Sequence, residues 1–430
     1  MFFSKNFNLK NAFSSFSRSE KIFIISAMAC AFFISVDYGI VRPAINSIFI
    51  GVYGVKYIPY AWIATIPINF LVIYLYNRLL PKWGCWKTFV VVCSSVIIMN
   101  FISAFYLTEV FLFPFIQCIW KDIYILLMFK QLWSLIHTTI NTDKAKFLYG
   151  LFFGIGGLGS VVGSLVPSFF ALNLGSQKLF LFSVPVYLLL LLLYRIAIKK
   201  SKIDPASFTF KEVANTHLSK SGFNLFKKSS LLVYVLLIVV FMQMAIAFVD
   251  FQFNIVLEKT IPLVDPRTAY AGRIHGIING TTFTFQFLGG FIFLHFLGLK
   301  KCHFLVPMML FGNGIMLLLL PTFGMFSYGY VSIKTLDYSV FNIAREMLYI
   351  PMRLDEKFRA KAIIDVFAYR SARGLASFMI LLIQLLFPLS ISSIIGWLSL
   401  ALMLVWLFIL SMLFKKHDYS SKGELASANE

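Results

Sequence analysis

Ionised side chains recur inside segments of this sequence that are otherwise long and apolar. They are Asp37 and Arg42, then Lys121, Asp122 and Lys130, then Asp250, then Lys334 and Asp337, and finally Asp365, Arg370 and Arg373. A charge at the centre of a membrane-embedded helix costs about 3 kcal/mol, whereas each Leu, Ile or Phe contributes about −0.5 kcal/mol. Helices that carry two or three charges must therefore be covered by neighbours and line a hydrated interior.

The spacing and signs of these charges indicate what the interior would bind. Because an α-helix turns 100° per residue, Lys334 and Asp337 share a face. With the boundary pair Arg345 and Glu346 set aside, the charges named above are six cations and five carboxylates. Arginine binds phosphate and carboxylate groups through two parallel hydrogen bonds, so this small positive excess favours an anionic ligand. The alternative is that the charges form ion pairs that hold neighbouring helices together.

A candidate site follows from these positions. The side chains predicted to contact the anion, to stack on it or to wall its cavity are Arg42, Lys121, Arg370, Arg373, Tyr38 and Tyr338. The carboxylates predicted to act as their charge partners or as proton-coupling groups are Asp37, Asp122, Asp337 and Asp365. Such a site requires a cleft between helices that water can enter.

The segments that carry these charges are long enough to cross a membrane. The chain has 430 residues, of which 59% are hydrophobic, and about twelve apolar stretches lie between Lys21 and Phe414. A helix needs about 20 residues to cross the hydrocarbon core. We therefore predict an all-α polytopic membrane protein with about twelve transmembrane helices in two six-helix halves, similar to the major-facilitator layout. The predicted parts are a cytoplasmic lead-in (1–20), the first half (21–198), a cytoplasmic linker (199–229), the second half (230–414) and a cytoplasmic tail (415–430).

The links between the apolar stretches alternate between basic and nearly uncharged. If Met1 is cytoplasmic, the basic residues on the outer links are Lys56, Lys178, Lys259 and Arg267. Cationic side chains near span ends resist translocation, so the pattern predicts a multi-pass protein of the bacterial inner (plasma) membrane with both termini cytoplasmic. The net charge of +20 then reflects topology and contact with membrane lipid. We predict no nucleic-acid partner, and we expect a monomer.

Glycine is concentrated in one apolar stretch, GLFFGIGGLGSVVGS, between Gly150 and Ser164. The stretch contains a G-x-G-x-x-G arrangement, but a dinucleotide-binding loop would follow a strand and this stretch lies inside an apolar span. Small residues spaced four apart instead allow two helices to approach closely. We interpret the stretch as part of a gating helix whose close contacts involve Gly154, Gly157 and Gly163.

The sequence carries no catalytic or metal-binding pattern. Its five cysteines and six histidines lack metal-ligand spacing, and no nucleophile–base arrangement is found. We therefore predict no cofactor and no bound metal, and we expect that the protein is not an enzyme. A polytopic membrane enzyme and a non-transporting receptor are the alternatives from other functional classes.

Two segments resemble a known family. The segment from Arg345 to Arg370, REMLYIPMRLDEKFRAKAIIDVFAYR, resembles a block of the ATP/ADP translocases of obligate intracellular bacteria and plastids. The segment from Trp133 to Gly154 is similar to a second block, and Asp37-Tyr38 with Arg42 is similar to the start of the family's first span. The resemblance implies a twelve-helix, major-facilitator-like fold that moves nucleotides by ATP/ADP exchange or by proton-coupled uptake.

The chain departs from the family pattern at several charged positions. Ile45 stands where the family has a Lys, Lys121 where it has an acidic residue, and Leu257 where it has a Glu. Arg373 keeps the charge of a family Lys. We predict a secondary active transporter that moves nucleotides across the inner membrane by alternating access. The alternative is a major-facilitator transporter of another small organic anion, such as a sugar phosphate.

Overall fold

The computed structural model describes residues 16–139, 142–201, 229–286, 290–349, 363–364 and 368–416, and all regular elements in these ranges are helical. Before residue 201 the helices are α1 (Arg18–Tyr53), α2 (Ile58–Tyr106), α3 (Phe113–Thr139), α4 (Thr142–Leu174) and α5 (Ser183–Lys200). After residue 229 they are α6 (Ser230–Thr260), α7 (Val264–Thr284), α8 (Gly290–Leu319), α9 (Phe323–Leu336), α10 (Asn342–Leu348), α11 (Tyr369–Leu386) and α12 (Ile391–Lys416). A π-helical turn, Asp337–Phe341, joins α9 to α10.

Two of these helices change direction at a glycine. Gly84 in α2 has φ 72° and ψ 171°, and Gly298 in α8 has φ 72° and ψ 168°. Glycine adopts a positive φ at little cost because it has no Cβ. Because the Gly84 backbone is not helical, α2 consists of two helical arms that meet at a kink, and the sequence predicts a separate apolar stretch for each arm.

Seven segments of the described chain have the length and composition of membrane-spanning helices. Within the described ranges, the segments that are long and apolar enough to cross a membrane are Arg18–Tyr53, Val55–Tyr106, Leu151–Leu174, Lys178–Lys200, Ser230–Thr260, Gly298–Leu319 and Ile391–Lys416. Large apolar side chains such as Phe169, Leu319 and Trp397 are more than half exposed, as expected of a surface that faces lipid. The all-α polytopic class is confirmed, whereas the count of twelve spans stays a prediction.

The buried apolar side chains form several clusters. One large cluster runs from Phe16 to Ile198, and another from Leu232 to Phe414. A third cluster combines side chains of α1 and α2 with side chains of α6, α11 and α12. The third cluster therefore links the part of the chain before residue 201 to the part after residue 229. The division of the chain into two six-helix halves remains a prediction.

The glycine-rich stretch is the line along which α4 crosses α1. A Cβ on Gly159 would lie 2.2 Å from the carbonyl oxygen of Phe32, and a Cβ on Gly163 would lie 2.2 Å from that of Val36. Gly157 instead faces α7, where its Cβ would lie 3.4 Å from Phe283. Gly154 is also buried. Gly159 and Gly163 thus set the distance between α1 and α4, and the gating role assigned to the stretch stays a prediction.

Replacing Gly159 by Ala should destabilise the protein, because the added methyl group has no space against the α1 backbone. Overpacking of this kind costs about 1–3 kcal/mol. We expect a lower midpoint of thermal unfolding, measured in detergent by size-exclusion chromatography of heated samples. Gly312→Ala is the matched control, since a Cβ there meets no atom within 4 Å. Equal midpoints for the two variants would contradict the proposed helix contact.

Candidate substrate site

A cavity of about 500 Å³ lies between α1, α3, α4, α7, α10 and α11, and we call it the large cavity. Its volume is in the range of about 300–1,000 Å³ that is typical of ligand sites. Much of its wall is aromatic, including Phe129, Trp133, Phe153, Phe283, Tyr338 and Tyr369. Polar groups are spread among the rings, including Ser35, His275, Asn279 and Gln286. Such a wall offers flat apolar faces together with hydrogen-bonding groups.

A second cavity of about 40 Å³ adjoins the first, and we call it the small cavity. Its lining is rich in charge and includes Lys121, Asp122, Asp250, Asn254 and Arg373. Tyr38 and Arg42 line both cavities. The structure therefore brings three of the predicted anion-contacting cations, Arg42, Lys121 and Arg373, to one place between α1, α3 and α11.

Arg42 lies where the two cavities meet. Its guanidinium carbon is 5.6 Å from the centre of the Tyr38 ring, a cation–π contact. Among the described residues, no carboxylate oxygen lies within 4 Å of the Arg42 guanidinium. An arginine held in a membrane core without a counter-charge is costly unless water or an anionic ligand reaches it. Arg42 is thus available to an anion in the large cavity, whose lining also includes Arg345.

The cation Lys121 is paired with its neighbour in the chain. Its Nζ lies 3.1 Å from Asp122 Oδ2 and donates to the carbonyl oxygen of Cys118 at 3.1 Å. The other oxygen of Asp122 accepts a hydrogen bond from the Tyr38 hydroxyl at 3.3 Å. Asp122 therefore ties α3 to the helix that carries Arg42.

A second ionic cluster centres on Asp250 of α6. Its Oδ2 atom lies 3.1 Å from Lys334 Nζ and 3.5 Å from Arg373 Nη2. Lys334 is buried, whereas the Arg373 side chain is 39% exposed. The Arg373 guanidinium also lies 4.3 Å from the centre of the Trp62 ring on α2. Arg373 is the loosely held member of the cluster and the one that a ligand can reach.

The remaining candidates lie in different surroundings. Asp37 is fully buried and accepts hydrogen bonds from the hydroxyls of Ser183, Tyr124 and Tyr187, so its partners are hydroxyl groups and not the expected cations. Arg370 is not among the lining residues of either cavity, and its Nη1 atom is buried without a hydrogen-bond partner in the described part of the chain. Asp365 lies outside the described residues.

Contacts across the bundle close it on one side of the two cavities. We call this side the Gly54 end, where α1, α4 and α6 end and α7 begins. The backbone N–H and hydroxyl of Ser176 donate to Asp265 Oδ1 at 2.7 and 2.6 Å. The Arg267 Nη2 atom donates to the carbonyl oxygen of Ser47 at 2.9 Å, and the Val55 N–H donates to Glu258 Oε1 at 3.3 Å. These contacts must break before anything passes through the Gly54 end.

The position of Arg267 corrects one expectation from the sequence. The sequence places Arg267 on an outer link between spans, whereas in the structure Arg267 belongs to the first turn of α7, which begins at Val264, and is only 1% exposed. Asp265 and Arg267 lie within one turn of each other at the start of α7, and each contacts the part of the chain before residue 201.

Replacing Asp265 by Ala should loosen the Gly54 end, because the Ser176 donors lose their charged acceptor. Such contacts contribute about 1.5–3 kcal/mol each, so we expect the form open at this end to gain roughly tenfold or more in population. Cys118 lines the small cavity and can report the change through labelling by a membrane-impermeant maleimide. The experiment uses vesicles whose Gly54 end faces outward, and Cys118→Ser gives the background.

The exposed Lys259 at the same end provides a matched control. Lys259→Gln should leave the labelling rate of Cys118 unchanged. If Asp265→Ala labels no faster than this control, the Ser176–Asp265 contact does not hold the Gly54 end closed.

The fold is also found in solved structures of membrane transporters. It is similar to the solved structure of nucleoside transporter NupG, with a TM-score of 0.68 and 11% identity, covering 91% of this chain and 99% of that chain. It is also similar to the D-xylose–proton symporter, with a TM-score of 0.62 and 14% identity, covering 91% of this chain and 97% of that chain. These likenesses concern the fold alone, and they confirm the predicted major-facilitator-like class.

The sequence is similar to a particular group of carriers. Residues 327–417 match the family model described as TLC ATP/ADP transporter. The chain is 24% identical over 316 residues to ADP,ATP carrier protein 3 of Rickettsia bellii (strain RML369-C). That alignment covers 63% of this chain and 62% of the Rickettsia protein, so the chain spans less than two thirds of the length of this relative. The predicted resemblance to the ATP/ADP translocase family is confirmed.

Proposed function

We propose that this protein is a secondary active transporter that moves a nucleotide across a membrane by alternating access. The observation that carries the proposal is the place of Arg42, a cation without a carboxylate partner among the described residues, between an aromatic cavity and a charged one. The name of the Rickettsia relative, an ADP,ATP carrier, supports a nucleotide as the substrate.

The parts of a nucleotide match the two cavities. A base can stack on aromatic side chains of the large cavity such as Trp133 and Tyr338, and the ribose can bond to polar groups such as Asn279. The phosphates would extend toward Arg42 and Arg373, since arginine forms paired, charge-assisted hydrogen bonds with phosphate oxygens. In this arrangement Tyr38 lies beside Arg42, where base and phosphate chain meet.

The substrate would reach this site from one side at a time. The α1 residues that line the small cavity extend as far as Phe49, near the end of the helix. Those that line the large cavity begin at Ala31, nearer its start. The large cavity therefore lies farther from the closed Gly54 end. Two helix groups that rock about a central site would open and close the two ends in turn. The glycine contacts of Gly159 and Gly163 would let α4 move against α1 during this change.

The proposal also covers the orientation of the protein in the membrane and the way in which transport is coupled. The distribution of basic residues supports a bacterial inner membrane location with cytoplasmic termini. The Gly54 end would then face the outside of the cell. Transport could proceed as exchange of one nucleotide for another or together with a proton. An organic anion without a base, such as a sugar phosphate, is the less favoured substrate because it leaves the aromatic wall of the large cavity without a partner.

Counterflow in proteoliposomes tests the proposal. Vesicles containing the purified protein are loaded with unlabelled nucleotide, and uptake of labelled ATP, GTP, UTP and NAD is followed separately. We expect the internal nucleotide to stimulate uptake of at least one of them. The reason is that an exchanger returns to its outward-open conformation more readily when it carries an internal nucleotide. A parallel series with glucose 6-phosphate tests the alternative substrate class. Stimulation by the sugar phosphate and by none of the nucleotides would reject the nucleotide proposal.

A further inference from the structure

The carboxylates in the described part of the membrane core differ in their partners. Asp122 and Asp250 each contact at least one cation within 4 Å. Asp37 is enclosed by hydroxyl groups and lines neither cavity. Asp337 lines the large cavity, and no cation lies within 4 Å of it among the described residues. Among the described residues, Asp337 is thus the carboxylate that lines the large cavity without a cation within 4 Å.

Asp337 has no ionic partner among the described residues because its helical neighbour Lys334 pairs elsewhere. The sequence places Lys334 and Asp337 on one helical face, and the Asp337 N–H still bonds to the carbonyl oxygens of Ile333 and Lys334 at the end of α9, before the π-helical turn. Lys334 points to Asp250, at 3.1 Å, and Asp337 Oδ1 accepts a 3.3 Å hydrogen bond from the Gln243 side chain. Its one hydrogen bond in the described structure is therefore long.

Among the described residues, the charged and titratable groups that interact electrostatically with Asp337 lie on α9, α10 and α11. Lys334 on α9 and Arg345 on α10 lie close enough to act on its charge, but neither forms an ion pair with it. The Tyr369 hydroxyl on α11 also lies in its electrostatic surroundings. On α6, the side chain that contacts Asp337 is the uncharged Gln243. The uncharged Gln286, just after α7, donates its amide to the carbonyl oxygen of Tyr338, the residue after Asp337.

We propose that Asp337 is the proton-binding site that couples nucleotide transport to a proton gradient. The inference rests on the proposed function and names its coupling ion and the residue that carries it. An unpaired carboxylate is costly when the helices close over the cavity and expel water, so a bound proton favours closure. The ionised carboxylate also repels the phosphates, so the proton and the nucleotide bind more tightly together than separately. Because Asp337 faces the substrate cavity, both ligands reach the same side of the membrane in each conformation.

Two uptake measurements on the same proteoliposomes test this assignment. The first is nucleotide accumulation driven by an imposed pH gradient, and the second is nucleotide exchange at equal pH. For Asp337→Asn, which cannot release a proton, we expect the ratio of gradient-driven accumulation to exchange to fall at least tenfold relative to the wild type. Asp337→Glu, which keeps a titratable carboxyl group, should restore most of that ratio.

The outcomes separate this inference from the proposed function. If the wild type exchanges nucleotides but a pH gradient never drives accumulation, the proton site is rejected and the nucleotide transporter stands. If no nucleotide is exchanged under any condition, the proposed function fails. If Asp337→Asn retains the wild-type ratio, the proton is bound elsewhere. If it loses exchange and accumulation in equal proportion although it is folded, Asp337 is not a selective coupling group, and the assignment is overturned.

A binding measurement gives a second readout that does not depend on transport. Nucleotide affinity is measured in detergent at pH 6 and pH 8 for the wild type and for Asp337→Asn. In the variant, any change of affinity with pH comes from the titration of the nucleotide's own phosphates, so the variant is the baseline. We expect the wild type to lose severalfold more affinity than the variant as the pH rises, because its unprotonated Asp337 repels the ligand. Equal losses would overturn the inference.

Discussion

Arg42→Gln should lower the apparent affinity for the transported nucleotide by about 10- to 100-fold, since a hydrogen bond to a charged group contributes about 1.5–3 kcal/mol. Arg42 lines both cavities and has no carboxylate partner among the described residues, so its charge is available to the substrate. The substitution leaves no buried carboxylate without its partner, and folding should survive it. The measurement is the dependence of nucleotide counterflow on substrate concentration.

Lys130 provides the control for a general effect of charge. It lies on α3, lines neither cavity and donates to the Asn77 side chain at 2.6 Å. Lys130→Gln removes one positive charge from the same bundle, and we expect an apparent affinity within about threefold of the wild type. An Arg42→Gln variant that transports as well as this control would show that Arg42 does not contact the substrate.

Asp250→Asn should cause the largest loss of stability in the membrane core. Asp250 is the counter-charge of Lys334, which is 4% exposed, and of Arg373. Removing one partner of a buried ion pair costs about 3–5 kcal/mol because the other charge stays buried without compensation. We expect a marked fall in the thermal unfolding midpoint in detergent and a lower yield of folded protein.

A second substitution identifies the cause of that loss. Lys334→Met combined with Asp250→Asn removes the stranded charge and should recover much of the stability. Glu109→Gln, at an exposed carboxylate between α2 and α3, is the control and should leave the midpoint unchanged. If Asp250→Asn has the same unfolding midpoint as Glu109→Gln, the buried pair does not stabilise the protein as described. The same follows if the double variant is no more stable than Asp250→Asn.

The class of fold can be predicted from the sequence because lipid restricts which structures can span a membrane. Apolar stretches of about 20 residues and a strict preference for helices in lipid leave few alternatives. The charges inside those stretches also pointed to an interior site, and Arg42, Lys121 and Arg373 do lie together. Their convergence could be expected because an isolated charge in hydrocarbon is too costly to persist.

The pairing of those charges could not be read from spacing. Helical periodicity relates Lys334 to Asp337, but Lys334 pairs with Asp250, far away in the sequence. Nothing in the sequence distinguishes Trp62, because an aromatic residue in an apolar stretch gives no sign that a distant arginine stacks on it. Partners on other helices depend on how the helices cross, and one sequence does not specify that.

The departures from the family pattern also have a structural setting. Ile45 and Leu257 are buried in apolar clusters, so the charges expected there from the resemblance would lie among apolar side chains. Glu258, next to Leu257, accepts the Val55 N–H at the Gly54 end. Arg42 and Arg373 both line the small cavity, so the proposed anion-binding site has two cations although its surroundings differ from the family pattern.

A structure of the full chain with nucleotide bound, determined by electron cryomicroscopy, tests the central claim most directly. We expect density for the base against the aromatic wall of the large cavity and density for phosphate within about 3 Å of the Arg42 guanidinium, the distance of a charge-assisted hydrogen bond. Nucleotide density away from Arg42, or Arg42 sealed against a carboxylate in a site that remains empty at saturating nucleotide, would contradict it.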